Sequence, residues 1–96
     1  MNSNAITINM IGEMDVNRLP EFEEEAKKVL QKPEISQVIL NMERMSFMDS
    51  KTIGYIAYLY TTLKRTNRKL IISKPNENII DILTLVGLNQ IIPISS

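Results

Sequence analysis

The sequence predicts a single α/β domain over residues 1–96, with roughly four mostly parallel or mixed strands and three helices. Short segments of alternating or continuous apolar residues are typical of strands. They are separated by segments whose apolar residues recur every three or four positions, as on one face of a helix. The chain has 96 residues, a usual length for one domain. Strands that alternate with helices in this way favour a sheet covered by the helices.

The first strand is predicted at residues 5–11, because one set of alternate side chains is apolar and the other is mainly polar. Gly12 is expected to end it. A helix is predicted from about residue 17 to residue 30, since Pro20 is tolerated only in a first helical turn. The apolar residues expected on its inner face are Leu19, Phe22, Ala26, Val29 and Leu30.

The middle of the chain predicts a second strand and a second helix. Residues 37–42 contain a short apolar run that is consistent with a buried strand, and residues 43–49 are predicted to be a connection. A helix is predicted over residues 50–66. Its expected inner face consists of Ile53, Ile56, Ala57, Tyr60 and Leu63.

The last third predicts a strand at residues 69–73, a helix and a final strand at residues 91–94. Gly87 fits the left-handed position that ends many helices, and Leu88 can make the accompanying apolar contact. Pro93 indicates a sheet edge or a strand end. The third helix is expected to begin at Pro75 and Asn76 and to continue through Ile79, Ile80, Leu83 and Val86.

The composition argues against several classes of function. Lys and Arg number 11, as do Asp and Glu, so the formal net charge is zero and no direct nucleic-acid contact is predicted. The chain has no Cys and no His, which removes disulfides, thiolate nucleophiles, Ser-His-Asp triads and most zinc sites. We therefore predict a non-enzymatic protein with no catalytic residue, metal or cofactor. No apolar run approaches the about 20 residues of a membrane span, so a cytoplasmic protein without membrane insertion is predicted.

Two loops are expected at the carboxyl edge of the sheet, at residues 13–15 and 47–50. The second loop leads into a helix, where Asp49 or Ser50 can cap the free backbone N–H groups. Gly54 would let a partner approach closely. A helix start with small hydroxyl residues also suits a phosphate group.

Three motifs follow one another along the chain: Gly12-Glu13-Met14-Asp15, then Phe47-Met48-Asp49-Ser50-Lys51-Thr52-Ile53-Gly54, then Gly87-Leu88-Asn89-Gln90-Ile91-Ile92. In this order and with this natural spacing, they resemble the STAS domain of bacterial anti-sigma factor antagonists. The resemblance implies a regulatory protein that binds an anti-sigma factor. In that family the anti-sigma factor is also a serine-protein kinase, and it phosphorylates the Ser or Thr that follows Asp-Ser.

This chain departs from the family at the phosphoacceptor position. Lys51 stands where the acceptor is expected, and Thr52 stands where the family has Gly. Lysine cannot accept phosphate from a Ser/Thr kinase, so Ser50 and Thr52 are the candidate phosphorylation sites. The resemblance therefore implies the binding role more directly than it implies the phospho-switch.

The partner surface is predicted at the loop and along the outer side of the second helix. Lys51, Tyr55, Tyr58 and Thr62 form a stripe at helical spacing, and exposed tyrosines are common at interfaces. The chain is short at both ends relative to the family, which could leave a sheet edge for a homodimer. The predicted partner-binding residues are Met48, Asp49, Ser50, Lys51, Thr52, Gly54, Tyr55 and Tyr58.

Two other functions are compatible with the sequence. The chain could be a STAS subunit of a transporter or of a lipid-trafficking complex. Alternatively, Asp15, Asp49 and Lys74 resemble the carboxylates and lysine that hold Mg²⁺ in receiver domains. A receiver, however, needs a further acidic neighbour and a five-stranded doubly wound sheet.

Overall fold

Strands and helices alternate along the chain in the computed structural model, which describes residues 4–95. The strands are β1 (Ala5–Met14), β2 (Gln37–Met48), β3 (Lys69–Ser73) and β4 (Ile94–Ser95). The helices are α1 (Leu19–Leu30), α2 (Ser50–Arg65) and α3 (Glu77–Val86), and a short 3₁₀ turn follows at Leu88–Gln90.

The four strands form one sheet in the order β1-β2-β3-β4, and each strand is parallel to its neighbours. The predicted α/β class with a four-stranded sheet and three helices is confirmed. Within residues 4–95, β1 and β4 are the two edges of the sheet. A homodimer formed through such an edge stays a prediction.

The core lies on one face of the sheet. Right-handed crossovers between strands that follow chain order bring the helices to the same face. Along β1, Ile8 and Met10 are buried, whereas Thr7 and Asn9 on the opposite face are exposed. The alternation read from the sequence therefore selects the correct face of this strand.

The first two strands extend further than predicted. The predicted connection at residues 43–49 is wrong for residues 43–48, which continue β2 and pair with the second half of β1. Gly12 does not end β1: it has a φ of 71° and lies where the pairing register shifts. A Cβ atom at Gly12 would lie 2.9 Å from the end of the flexible Arg18 side chain, which can shift, so it is the left-handed backbone that favours glycine at this position.

Helix α1 begins at Leu19, later than predicted, with Pro20 in its first turn. Helix α2 has nearly the predicted bounds, but its buried face is rotated from the predicted one. Thr52 and Leu59 are fully buried although they were not predicted to face the core. The buried residues of α2 are Thr52, Ile56, Leu59 and Leu63, and the predicted Ile53, Ala57 and Tyr60 are only half-buried.

The predicted strand at residues 69–73 is confirmed as β3. The Asn76 side chain accepts a hydrogen bond of 2.9 Å from the Ile79 backbone N–H and caps α3, and Gly87 ends the helix with a φ of 82°. All four apolar residues through which this helix was predicted to continue lie in α3: Ile79 and Leu83 are buried, and Ile80 and Val86 are exposed. The final strand begins at Ile94, later than predicted, because the backbone N–H groups of Ile91 and Ile92 donate to the Leu88 carbonyl oxygen and continue the turn.

Across residues 4–95, no helix combines the length and the apolar character needed to cross a bilayer.

Candidate functional site

The start of α2 is joined to the end of β1 at the carboxyl edge of the sheet. The Met14 carbonyl oxygen accepts two hydrogen bonds, one from the Asp49 backbone N–H at 3.1 Å and one from the Thr52 hydroxyl at 3.2 Å. Thr52 is fully buried and is the only polar residue in the core of the part of the chain that the structure describes. These bonds hold the first turn of α2 against the sheet.

Asp49 is the residue that caps α2. Its backbone is extended, and its carboxylate accepts a hydrogen bond of 2.9 Å from the Thr52 backbone N–H. The hydrogen bond from the Thr52 backbone N–H lowers the pKa of the Asp49 carboxyl group, and the nearby charge of Lys51 adds a smaller effect in the same direction. Of the two capping residues that the sequence allows, the structure selects Asp49.

Ser50, Lys51 and Gly54 form the outward side of this helix start. All three are exposed. A Cβ atom built on Gly54 would meet no atom within 4 Å, so this surface is open at its first turn. Met48, in contrast, is buried and supports the loop from below.

The two tyrosines of α2 lie next to this helix start. The half-buried Tyr55 packs edge to face against Phe22 of α1, with 5.5 Å between ring centroids. The Tyr58 ring lies 5.5 Å from the Tyr55 ring and is 55% exposed. Burial raises the pKa of Tyr55, and the charge of Glu23 adds to this increase. Tyr58 is thus a surface residue, while Tyr55 anchors it to the core.

The predicted site residues therefore divide into two groups. Ser50, Lys51, Gly54 and Tyr58 are exposed and can meet a partner directly. The other four are buried or half-buried and position the exposed group: Met48, Asp49, Thr52 and Tyr55. The hydroxyl of Thr52 in particular does not reach the surface, in contrast to that of Ser50.

Sequence reasoning did not select two apolar residues beside the site. Val16 follows the first loop and is 52% exposed, and Phe47 lies near the end of β2 and is 44% exposed. Phe47 is opposite Glu13 in the β1–β2 register. Their signal in the sequence was an apolar residue directly after the 13–15 loop and another at the start of the 47–50 loop, and this signal is weak because single exposed apolar residues are common.

The residues of the receiver-like hypothesis have local structural roles. The Asp15 carboxylate accepts a hydrogen bond of 2.9 Å from the Asn17 backbone N–H in the turn before α1. Lys74 follows β3 with a φ of 55°. Within the described range 4–95, no three His, Cys, Asp or Glu side chains are grouped so that they could hold a metal ion. Among residues 4–95 the sheet has four strands in chain order, unlike the five-stranded doubly wound sheet that a receiver requires.

Comparisons with known proteins agree with this fold. A family model described as the STAS domain matches residues 1–96. A curated relative from Bacillus subtilis (strain 168), named anti-sigma-B factor antagonist, is 27% identical over 95 residues, which cover 99% of this chain and 85% of the relative.

Solved structures at lower identity share the fold. The anti-sigma factor antagonist SpoIIAA in its unphosphorylated form matches with a TM-score of 0.75 and 21% identity, over 100% of this chain and 82% of that one. The phosphorylated form, from Bacillus, matches with a TM-score of 0.76 and 20% identity, over 99% and 86%. A putative anti-sigma factor antagonist from Thermotoga maritima matches with a TM-score of 0.89 and 18% identity, over 100% and 82%.

Proposed function

The chain belongs to the STAS domain family, and from this premise we propose that it is a regulatory binding protein of the anti-sigma factor antagonist type. It acts in the cytoplasm by docking on an anti-sigma factor, and it has no catalytic role of its own. The curated relative carries the name of such an antagonist. The absence of Cys and His from the sequence is compatible with a binding role.

One observation carries the proposal, namely that the start of α2 is held in place by hydrogen bonds while its outer side is exposed. The Asp49 cap and the two hydrogen bonds to the Met14 carbonyl oxygen fix this turn before any partner arrives. A surface that is already ordered loses little conformational entropy on binding, which favours affinity. We define the docking surface as Ser50, Lys51, Gly54 and Tyr58.

The regulation differs from the family scheme in this proposal. Lys51 occupies the family's acceptor position and cannot be phosphorylated there. Thr52 is buried and its hydroxyl already donates to Met14, so its modification would require the helix start to open. Ser50 is exposed and does not cap the helix, so its hydroxyl is accessible, but it lies one residue before the family's acceptor position and we propose that the kinase does not modify it. The proposed protein binds its partner unphosphorylated and has no switch at residue 51.

The presence of lysine in place of a phosphoacceptor at residue 51 changes the charge of the docking surface. A phosphate at residue 51 would add about −1.5 to −2 charge beside the Asp49 carboxylate. Lys51 instead places a positive charge at that point of the docking surface. In this proposal the charge at residue 51 therefore does not change, and the protein acts as a constitutive antagonist.

The binding part is tested with the anti-sigma factor encoded near this chain, by titration calorimetry. Ser50→Glu and Tyr58→Glu are expected to lower the affinity at least about tenfold, since each places a carboxylate in a buried contact. Thr84→Glu is the matched control, because Thr84 is an exposed helical residue on α3. If both site variants bind as tightly as the wild type, or if Thr84→Glu weakens binding equally, the proposed surface is wrong.

The regulatory part is tested with the same anti-sigma factor as kinase, together with ATP, intact-mass analysis and peptide mapping. The wild-type protein is expected to remain unmodified and bound. Lys51→Ser restores a hydroxyl at the family position and is expected to gain one phosphate and to lose binding. Stoichiometric phosphate on wild-type Ser50 or Thr52, with loss of binding that the matching alanine variant prevents, would show that a switch survives.

A further inference from the structure

A groove runs between α1 and α2 on the side of the docking surface that carries Tyr58. Its volume is about 510 Å³. One wall is formed by Tyr55 and Tyr58, and the facing wall of α1 includes Glu23 and Glu24. We call it the α1–α2 groove.

The aromatic wall of the groove is held in place by a contact with the core. Phe22 is buried, and its contact with Tyr55 is edge to face, at an interplanar angle of 81°. Tyr58 packs against Tyr55 with its ring tilted by 39° and more than half of its surface exposed. A cation that enters the groove therefore meets aromatic rings whose positions are set by the core.

The opposite wall is acidic. Glu23 is half-buried and Glu24 is exposed. The Glu23 charge lies close enough to Tyr55 to act on its phenol group, in addition to the effect of burial. Lys27 also lines the groove, so the two carboxylates and this one ammonium group leave a net charge of −1 along the wall.

We infer that the α1–α2 groove binds an arginine side chain presented by the protein partner. A guanidinium group stacks on aromatic rings and pairs with carboxylates through its fork of N–H donors, so one side chain satisfies both walls. This inference rests on the proposed function, because the groove is continuous with Tyr58 of the docking surface. It adds to that proposal the chemistry of the partner's contact residue.

The first experiment needs no partner. The protein is titrated with Nα-acetyl-arginine amide, and chemical shifts of its backbone amides are followed by NMR. The shifts are expected around Glu23, Tyr55 and Tyr58, and the neutral isostere Nα-acetyl-citrulline amide is expected to produce none. Equal shifts with the citrulline compound, or shifts elsewhere on the molecule, would overturn the inference.

Variants separate the two walls of the groove. Glu23→Gln is expected to weaken arginine binding about threefold, the size of an exposed charge interaction. Glu25→Gln is the matched control, with the same loss of charge on the same helix, because Glu25 lines a different depression. Tyr58→Phe keeps the aromatic face and should retain binding, whereas Tyr58→Ala should lose it about fivefold. An equal effect of Glu23→Gln and Glu25→Gln would contradict the assignment.

A second experiment uses the anti-sigma factor itself and distinguishes this inference from the proposed function. The double variant Glu23→Gln with Glu24→Gln is expected to bind about tenfold more weakly than the wild type, and Glu25→Gln equally well. If the double variant keeps full affinity while Ser50→Glu loses it, the arginine inference fails and the proposed function stands. If the arginine compound binds the groove but the wild-type protein does not bind the anti-sigma factor, the groove assignment holds and the proposed function fails.

Discussion

Replacing Thr52 tests whether the helix start is held by the buried hydroxyl group. Thr52 is fully buried, and its hydroxyl donates to the Met14 carbonyl oxygen at 3.2 Å. Thr52→Val keeps the shape of the side chain and removes only the donor. The same carbonyl oxygen still accepts the Asp49 backbone N–H, so no buried group is left without a partner. The expected cost is therefore the net value of one hydrogen bond, about 1 kcal/mol, and not the larger penalty of an unsatisfied group.

Two further variants of Thr52 separate the contribution of the hydroxyl group from that of the methyl group. Thr52→Ser keeps the hydroxyl and removes one buried methyl group, which costs about 1 kcal/mol. Thr52→Ala removes both and should cost about 2 kcal/mol if the two effects add. For a domain of this size, 1 kcal/mol lowers Tm by about 4–8 °C, so calorimetry resolves the steps, and urea unfolding at 25 °C supplies the free energies.

The result that refutes the reasoning is specific. If Thr52→Val is as stable as the wild type while Thr52→Ser is destabilised, the methyl group matters and the hydroxyl does not hold the helix start. A Thr52→Glu variant with wild-type stability would contradict the burial itself, because a carboxylate without a partner in the core costs several kcal/mol.

Three other predictions follow from the same structure. Gly12→Ala should destabilise the protein by about 1–2 kcal/mol because of the left-handed backbone. Gly54→Ala, inside a helix with free space, should be neutral or stabilising by up to about 1 kcal/mol, and urea unfolding measures both variants. The lowered pKa of Asp49 predicts a stabilising contribution that is present above its unfolded value of 3.8 and lost as the pH falls through the lower folded value, so Asp49→Asn should flatten this acid dependence of Tm. Phe47→Ser should leave Tm within about 2 °C of the wild type because the side chain is 44% exposed, and a large loss of Tm would instead assign Phe47 to the core.

The sequence predicts the strands and helices whose apolar residues recur at one constant interval, and it misses those in which this interval changes. Strand β3 is a short apolar segment between turn residues, and its bounds are predicted correctly. Strand β2 continues beyond residue 42, but register shifts in its pairing with β1 break the alternation, and Met45 and Met48 are buried three positions apart. A period of two cannot detect such a bulged strand, so the sequence indicates a connection there instead.

The start of α2 was predicted in position, but the orientation of its side chains was not. The motif places a helix start near residue 50, and α2 begins there. Whether Asp49 or Ser50 caps the helix depends on the backbone path out of β2, which the local sequence does not specify. Thr52 has a hydroxyl group and so suggests a surface position, yet it lies on the buried face because its partner, the Met14 carbonyl oxygen, comes from a distant strand. Long-range contacts of this kind are settled by the tertiary fold.

The structure separates the residues that build the helix start from Lys51, which the proposed function places at the family's phosphoacceptor position. Asp49 and Thr52 make the hydrogen bonds that hold the first turn, and both bonds are complete without any contribution from the side chain at residue 51. Lys51 is exposed, and its unfavourable position at a helix N-terminus costs at most about 1 kcal/mol. The adjacent Asp49 carboxylate offsets part of that cost, since the two charges attract. Residue 51 can therefore change from a phosphoacceptor to a cation without disturbing the scaffold, which is the physical condition for a docking surface to be retained while its regulation is altered.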